Sequence, residues 1–316
     1  MSAPEHSVRF SHELLLYGGG DHGFVQATLP AVADALASDA EVLVAVSASR
    51  SRALREALGE QAERVRFADA RALARNPARL IPMWQDFADG RPDPDGGLLA
   101  ICESVWPGRN AAELAECERH EALVNLAFAS EHGLRMLCPY DLDGLDESVI
   151  EAARASHPLV AADGRALANE SCADAHAHAD PFAGALPAPC GEVGELSFGD
   201  EGLAELRHST SAWALAAGLG EEQADDLVLA VDELAANSIR HGGGAGTLWR
   251  WREHGSLVCE VRDGGTIDAP LIGRRRPAAD QTSGRGVWLV NQLCDLVQIR
   301  SGGGQTVVRV HKRLAD

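Results

Sequence analysis

Compact apolar runs alternate with segments of helical periodicity through the first half of the chain. Residues 14–17, 42–46, 65–67, 98–101 and 135–138 are short and rich in Val, Leu and Ile, which predicts strands. Residues 21–37, 49–59, 78–88, 110–129 and 146–155 repeat apolar positions at helical spacing, which predicts helices between them. Such alternation predicts a parallel sheet covered by helices on both faces, a three-layer α/β domain over residues 10–160. Pro139 is expected to end the last strand, and His157-Pro158 the last helix.

The pattern dissolves over residues 161–192, where Ala, Asp, His, Gly and Pro dominate, and this stretch reads as a linker. Its segment from Cys172 to Asp180 places His176 and His178 in alternation. A solvated linker is the stronger reading than a metal site, because metal ligands need neighbours that hold them. Periodicity returns over 193–316. A strand at 195–198, helices at 201–217 and 221–240, strands at 246–252 and 256–262, a helix at 286–294 and strands at 296–300 and 305–311 predict a two-layer α/β sandwich with a mixed sheet. Gly218 and Gly220 stop the first of these helices. Leu227, Leu229, Ala230, Leu234 and Ile239 are expected to form the core stripe of the second.

Composition narrows the class. The chain of 316 residues is 46% apolar, suited to two ordinary domains, and no run approaches the length of a bilayer span. The start has no apolar signal core, and seven scattered cysteines with no C-x-x-C pair fit reduced thiols, so a cytoplasmic protein is expected. The net charge of −19 argues against direct nucleic-acid binding. Residues 240–316 nevertheless hold 12 Lys and Arg against 7 Asp and Glu, with Arg274, Arg275 and Arg276 clustered. That cluster reads equally as a solvated loop or as part of a phosphate-facing lid.

Candidate chemistry concentrates between Asp232 and Thr306. On a helix Glu233 and Asn237 lie one turn apart on one face, so a carboxylate and a carboxamide oxygen can position a hydroxyl beside a hard cation such as Mg²⁺. Asp263 offers an acceptor for an exocyclic amine, with Gly265 allowing close approach. Gly284, Arg285, Gly286 and Val287 open a helix whose N–H groups favour phosphate. Arg240 and His241 either add phosphate contacts or cap the helix end.

These segments, in this order, resemble the GHKL or Bergerat-fold ATPases: an N box from Glu233 to Asn237, a first glycine box at Asp263-Gly264-Gly265, a second at Gly284-Arg285-Gly286, and a final strand carrying Thr306. The phrases from Leu229 to Ser238 and from Gly284 to Val290 look most like anti-sigma factor serine kinases. The resemblance implies ATP and Mg²⁺ as cofactors, Glu233 as general base and Asn237 as metal ligand. It further implies Asp263 with Thr306 at adenine, and phosphate at the second glycine box. Implied partners are a sigma factor, with Arg207 as its contact, and a STAS-type anti-sigma factor antagonist phosphorylated on Ser or Thr. Kinase domains of this kind pair, so a homodimer is a candidate state. The first glycine box departs from the family pattern, with Ile267 where a further glycine stands. A sensor histidine kinase and a non-catalytic ATP-binding switch are the alternatives; His12 and His208 lack the long helical hairpin of a phosphoacceptor.

Residues 12–158 resemble the MEDS sensory domain, on His12-Glu13-Leu14-Leu15-Leu16-Tyr17, Arg75-Asn76-Pro77, Trp106-Pro107-Gly108-Arg109, His120-Glu121-Ala122-Leu123 and Leu137-Cys138-Pro139-Tyr140-Asp141. The resemblance implies a small-molecule ligand. Tyr17-Gly18-Gly19-Gly20-Asp21 sits where a sheet places a ligand, but lacks the Gly-Lys-Ser/Thr ending of a P-loop. His12, Tyr17, Glu103, Trp106, Arg109, Tyr140 and Asp141 are candidate pocket residues, with packing or capping as the competing role for each.

Overall fold

A computed structural model describes residues 10–93, 96–162, 164–172, 182–277 and 284–314. The chain divides into two compact units, Met1–His178 and Ala179–Asp316. His176 and His178 lie outside the described residues.

The first unit runs β1 (Ser11–Tyr17), α1 (Gly20–Ala37), β2 (Glu41–Val46), α2 (Ala48–Leu58), β3 (Val65–Asp69), α3 (Ala70–Leu73), α4 (Leu80–Asp89), β4 (Leu98–Cys102), α5 (Ala111–Ala127), β5 (Leu134–Asp141), α6 (Glu147–Ser156), β6 (Leu159–Ala162) and β7 (Arg165–Ala168). Its described strands form one sheet in the order β3-β2-β4-β5-β1-β6-β7, parallel except for the β6–β7 hairpin. β4 is buried at every position, as a strand covered on both faces must be. On one face Leu15, Tyr17, Val44 and Ile101 pack with Phe24, Val32 and Leu54 of α1 and α2. On the other, Glu121 of α5 meets His12 of β1 and Cys138 of β5. The three-layer α/β expectation is met. A capping box at Asn110 and Glu113 fixes the start of α5.

Two expectations are corrected here. Pro139 does not end β5, which continues to Asp141 and pairs Pro139 with Leu15. The β4 ladder stops at Leu137, so beyond it one flank of β5 has no pairing for proline to break. The stretch read as linker also begins too early. Ala161 and Ala162 still belong to β6, and Arg165–Ala168 form β7, which folds back on β6. β7 is exposed at all four positions, so no alternation of apolar and polar residues marked it.

The second unit runs β8 (Gly194–Gly199), α7 (Leu203–Ala216), α8 (Glu221–His241), β9 (Ala245–Glu253), β10 (Ser256–Asp263), α9 (Arg285–Leu293), β11 (Leu296–Gly302) and β12 (Gln305–Arg313). The strand order is β11-β12-β10-β9-β8, and every described pairing is antiparallel rather than mixed. Tight turns explain this: His254 and Gly255 both take positive φ between β9 and β10, as do Gly303 and Gly304 between β11 and β12. α8 carries Glu221 and Glu222 in its first turn and Arg240 and His241 in its last, each opposing the helix dipole favourably. Leu227, Ala230 and Leu234 of α8 pack against Leu248, Val261 and Val310 of the sheet and Val290 of α9, making the two-layer sandwich. Leu229 is 42% exposed; two positions from Leu227, it turns to the opposite side of the helix.

Residues 182–187, also read as linker, pack on this second unit. Phe182 is buried, Ser301 donates its backbone N–H to the Phe182 carbonyl, and Arg309 donates to the Pro187 carbonyl. Arg309 and Arg262 both hold the fully buried Glu260, a charge that needs such partners.

His311 on β12 is expected to make this unit acid-sensitive. Burial, aided by the charge of Arg309, lowers its pKa to about 4. The unfolded chain takes up this proton near pH 6.5, the native state only near pH 4, so stability falls as pH drops through that window, by up to about 1.4 kcal/mol per pH unit. Thermal melts between pH 7 and pH 4 are expected to show a shallower decline for His311→Gln; an unchanged slope would remove His311 as the cause.

Candidate functional site

A cavity of about 600 Å³ lies between α8, the end of β10, the loop after it, and the start of α9. Asn237, His241, Asp263, Gly265, Gly284, Gly286, Val287 and Thr306 line it, so eight of the sequence candidates converge. Apolar lining comes from Leu234, Val261, Ile267, Ala269, Ile272 and Val308, which suits a flat heteroaromatic ring.

Asp263 sits at the end of β10 with its carboxylate held on both sides. Ser238 Oγ donates to Oδ2 at 2.6 Å, and the Gly265 N–H donates to Oδ1 at 2.7 Å. Remaining lone pairs stay available to a ligand amine. Thr306, paired with Asp263 across β10 and β12, donates to the Gly265 carbonyl at 3.0 Å and lies 3.1 Å from Ser301 Oγ. Ser301 in turn accepts from the Ile267 N–H at 2.8 Å, which ties down the first part of the loop. Ser238, Gly242 and Ser301 were missed in the sequence reading. Ser238 lies one position past Asn237 and looks like ordinary helix surface, yet it is buried and aimed at Asp263.

Gly242 ends α8 against this carboxylate: a Cβ there would lie 2.4 Å from Asp263 Cγ. Gly242→Ala is therefore expected to push Asp263 out of place and weaken ligand binding by about tenfold or more, comparable to losing one charged hydrogen bond. Titration of the folded variant checks this; unchanged affinity would mean that Asp263 is not held by this contact.

Glu233 and Asn237 are half-buried on α8 and face α9. A Cβ at Gly286 would lie 2.8 Å from Glu233 Oε2 and 3.0 Å from Asn237 Nδ2, so the second glycine segment comes directly against the acid–amide pair. Gly284 caps α9 with φ of 79°, and the start of that helix, through Gly284, Gly286 and Val287, lines the cavity.

Other candidates fall elsewhere. Arg240 is exposed, is not among the residues that line the cavity, and donates its Nε–H to the Ala236 carbonyl one turn back on its own helix. Arg285 is exposed at the first position of α9 and does not line the cavity. Arg207 pairs on the surface with Asp232 at 3.3 Å, one residue before Glu233. In the basic cluster Arg274 is buried, while Arg275 and Arg276 are exposed.

In the first unit the seven candidates fall into three groups. Tyr17, Glu103 and Asp141 gather around Arg50, a buried residue of α2 that sequence reading missed. Arg50 donates to Glu103 and, at 2.8 Å, to Asp141, and lies over the Tyr17 ring. Burial raises the Glu103 pKa, with Arg50 opposing the rise. Trp106 and Arg109 stack on each other at 3.6 Å in the loop after β4. His12 and Tyr140 lie across the sheet with Glu121, beside a separate cavity of about 320 Å³. Burial raises the Tyr140 pKa, so its hydroxyl stays protonated there.

Residues 11–158 match the family MEDS, described as methanogen/methylotroph, DcmR sensory domain. Residues 197–312 match the histidine kinase-like ATPase domain. The chain thus joins a MEDS domain to a histidine kinase-like ATPase domain. Among solved structures it is similar to the RsbU and RsbW domains of Rv1364c from Mycobacterium tuberculosis, at 17% identity and a TM-score of 0.30, over 39% of this chain and 33% of that one. The chain therefore spans about a third of that relative. It is also similar to the Acinetobacter baumannii histidine kinase AdeS, at 10% identity and a TM-score of 0.25, over 40% of this chain and 70% of that one. No curated protein matches the chain. No helix among the described residues is long and apolar enough to cross a membrane.

Proposed function

We propose that the second unit binds ATP with Mg²⁺ and transfers its terminal phosphoryl group to a Ser or Thr of an anti-sigma factor antagonist. In the same reading the chain holds a sigma factor inactive, through a surface that includes Arg207, until the antagonist engages it. The MEDS unit takes a small molecule and sets this activity. The observation that carries the reading is the cavity lined by Asp263, which Ser238 and Gly265 fix, together with Asn237 and Gly286, with Glu233 directly beside Gly286.

Each residue has a role that its position supports. Asp263 accepts the adenine amine, with Thr306 holding the Gly265 carbonyl beside it. The start of α9, from Gly284 through Val287, receives phosphate on its N–H groups. Asn237 would hold Mg²⁺, which neutralises charge on the phosphates. Glu233 takes the proton from the incoming hydroxyl. His241, exposed at the cavity edge, contacts the phosphates.

Two placements favour this over a sensor histidine kinase. His12 is buried within β1, where no second domain can reach it. His208 is exposed on α7, a 14-residue helix that packs on α8 of the same unit rather than forming a long helical hairpin. Incubation with labelled ATP and candidate antagonist proteins tests the reading. Acid-stable phosphate on the antagonist is the expected result. Acid-labile phosphate on this chain, or ATP binding with no transfer to any antagonist, would overturn it.

A further inference from the structure

Four side chains on the far face of the first sheet converge on one point. His12 of β1, Glu121 of α5, Cys138 of β5 and His157, which caps α6, each offer one ligand atom, and these atoms all lie within 4.8 Å of one another. All four residues are buried, at 1%, 2%, 2% and 0% exposure. His12 Nε2 lies 3.1 Å from Glu121 Oε2 and 3.4 Å from Cys138 Sγ. Glu121 Oε2 lies 3.9 Å from Cys138 Sγ and 3.5 Å from His157 Nε2. Ligands around a tetrahedral zinc ion, with bonds of about 2.0–2.3 Å, stand about 3.3–3.8 Å apart. These four spacings, between 3.1 and 3.9 Å, bracket that range.

The surrounding hydrogen bonds fix which atoms face the centre. His157 Nδ1 lies 2.7 Å from the Ala153 carbonyl, which only accepts, so Nδ1 carries the proton and Nε2 points inward. That Nε2 is fully buried and has no hydrogen-bond partner. His12 Nδ1 lies 3.0 Å from Asn125 Oδ1. The Asn125 amide group donates to the Glu121 and Ser156 carbonyls, so its oxygen accepts and His12 Nδ1 also carries its proton. Glu121 Oε1 accepts from Ser104 and Tyr140, leaving Oε2 toward the centre. Both imidazoles are thus anchored through Nδ1 to a carbonyl oxygen and present Nε2, the outer-sphere arrangement that orients metal ligands.

With Glu121 ionised, hydrogen bonds within the cluster leave His157 Nε2 without a donor. With His157 neutral, its bare Nε2 lone pair faces the oxygen of a buried carboxylate. With His157 doubly protonated alongside a charged His12, two imidazolium rings sit 4.1 Å apart in the interior. A central cation removes both conflicts and satisfies all four groups.

We infer that His12, Glu121, Cys138 and His157 bind a single divalent transition-metal cation of the zinc class. Two imidazole nitrogens, one thiolate and one carboxylate form the donor set such a cation prefers. Binding displaces the thiol proton of Cys138 to solvent, and no change of oxidation state is involved. The neighbouring cavity reaches Glu121 and Tyr140 and provides a path of entry. This site lies in the MEDS unit and does not depend on the nucleotide-binding reading of the other.

Full-length protein prepared with Zn²⁺ tests it by metal analysis after exhaustive desalting, and with Co²⁺ by absorption. The expected result is one equivalent of retained zinc. Cobalt should give the visible bands of tetrahedral geometry and a near-ultraviolet thiolate charge-transfer band. That band should vanish in Cys138→Ser, and zinc should be lost from His157→Gln, while His176→Ala/His178→Ala retains both signals. If Cys138→Ser does not fold, X-ray absorption on the wild-type zinc protein decides, with one sulfur at about 2.3 Å and three nitrogen or oxygen neighbours expected. No retained metal in folded protein, a shell without sulfur, or metal lost only from the His176/His178 variant would overturn the inference.

Discussion

Glu233→Ala is expected to lower phosphoryl transfer to the antagonist by about 10²–10⁴-fold, the usual contribution of a positioned general base. ATP affinity should change by no more than about threefold, because Glu233 stands beside Gly286 rather than among the residues that line the cavity. Glu233→Gln keeps the volume and the hydrogen-bonding atoms but not the base, and is expected to fail in the same way. Single-turnover transfer from labelled ATP measures the chemical step, and equilibrium binding measures the affinity. Activity retained in both variants would remove Glu233 as the base. A parallel loss of affinity and transfer would make it a binding group instead.

Asp263→Ala carries the second large effect, on affinity rather than on chemistry. The carboxylate lines the cavity and is proposed to take the adenine amine, and its geometry is set by hydrogen bonds of 2.6 Å and 2.7 Å from Ser238 and Gly265. Losing a charged hydrogen bond and leaving the Gly265 N–H without its acceptor, while Ser238 keeps the Leu234 carbonyl, costs about 2–3 kcal/mol, or about 10²-fold in dissociation constant. Guanine nucleotides, which present a carbonyl where adenine presents an amine, should bind the wild type poorly. Their discrimination should shrink in the variant. The test is competition between adenine and guanine nucleotides for wild type and variant; equal loss for both bases would place Asp263 away from the base edge.

The ATPase unit was readable because its signals are local. Glu233 and Asn237 are a helical turn apart, and the glycine segments and Thr306 follow in the order that carries the GHKL resemblance; spacing and resemblance together pointed to eight residues that line one cavity. What escaped depends on contacts between distant segments. Ser238 matters only because the end of β10 returns to α8, 25 positions later. Arg50 looks like a surface residue on a charged helix, yet it is the counter-ion for Glu103 and Asp141, 53 and 91 positions away. The quartet around Glu121 shows the same limit, since His12 reaches it across 109 positions and Cys138 across 126 from His12. No local motif encodes such a cluster; the parallel sheet assembles it. The extent of β5 and the β6–β7 hairpin were hidden for a different reason. Proline reads as a strand end unless one flank is known to be unpaired, and an exposed edge strand such as Arg165–Ala168 shows no apolar alternation.

Binding of radiolabelled ATP to the full-length protein, measured by equilibrium dialysis with Mg²⁺, bears most directly on the central claim. The cavity between α8 and α9 should take up one ATP per chain in the wild type, with uptake sharply reduced in Asp263→Ala. No uptake by folded wild-type protein, or uptake that Asp263→Ala leaves unchanged, would contradict it.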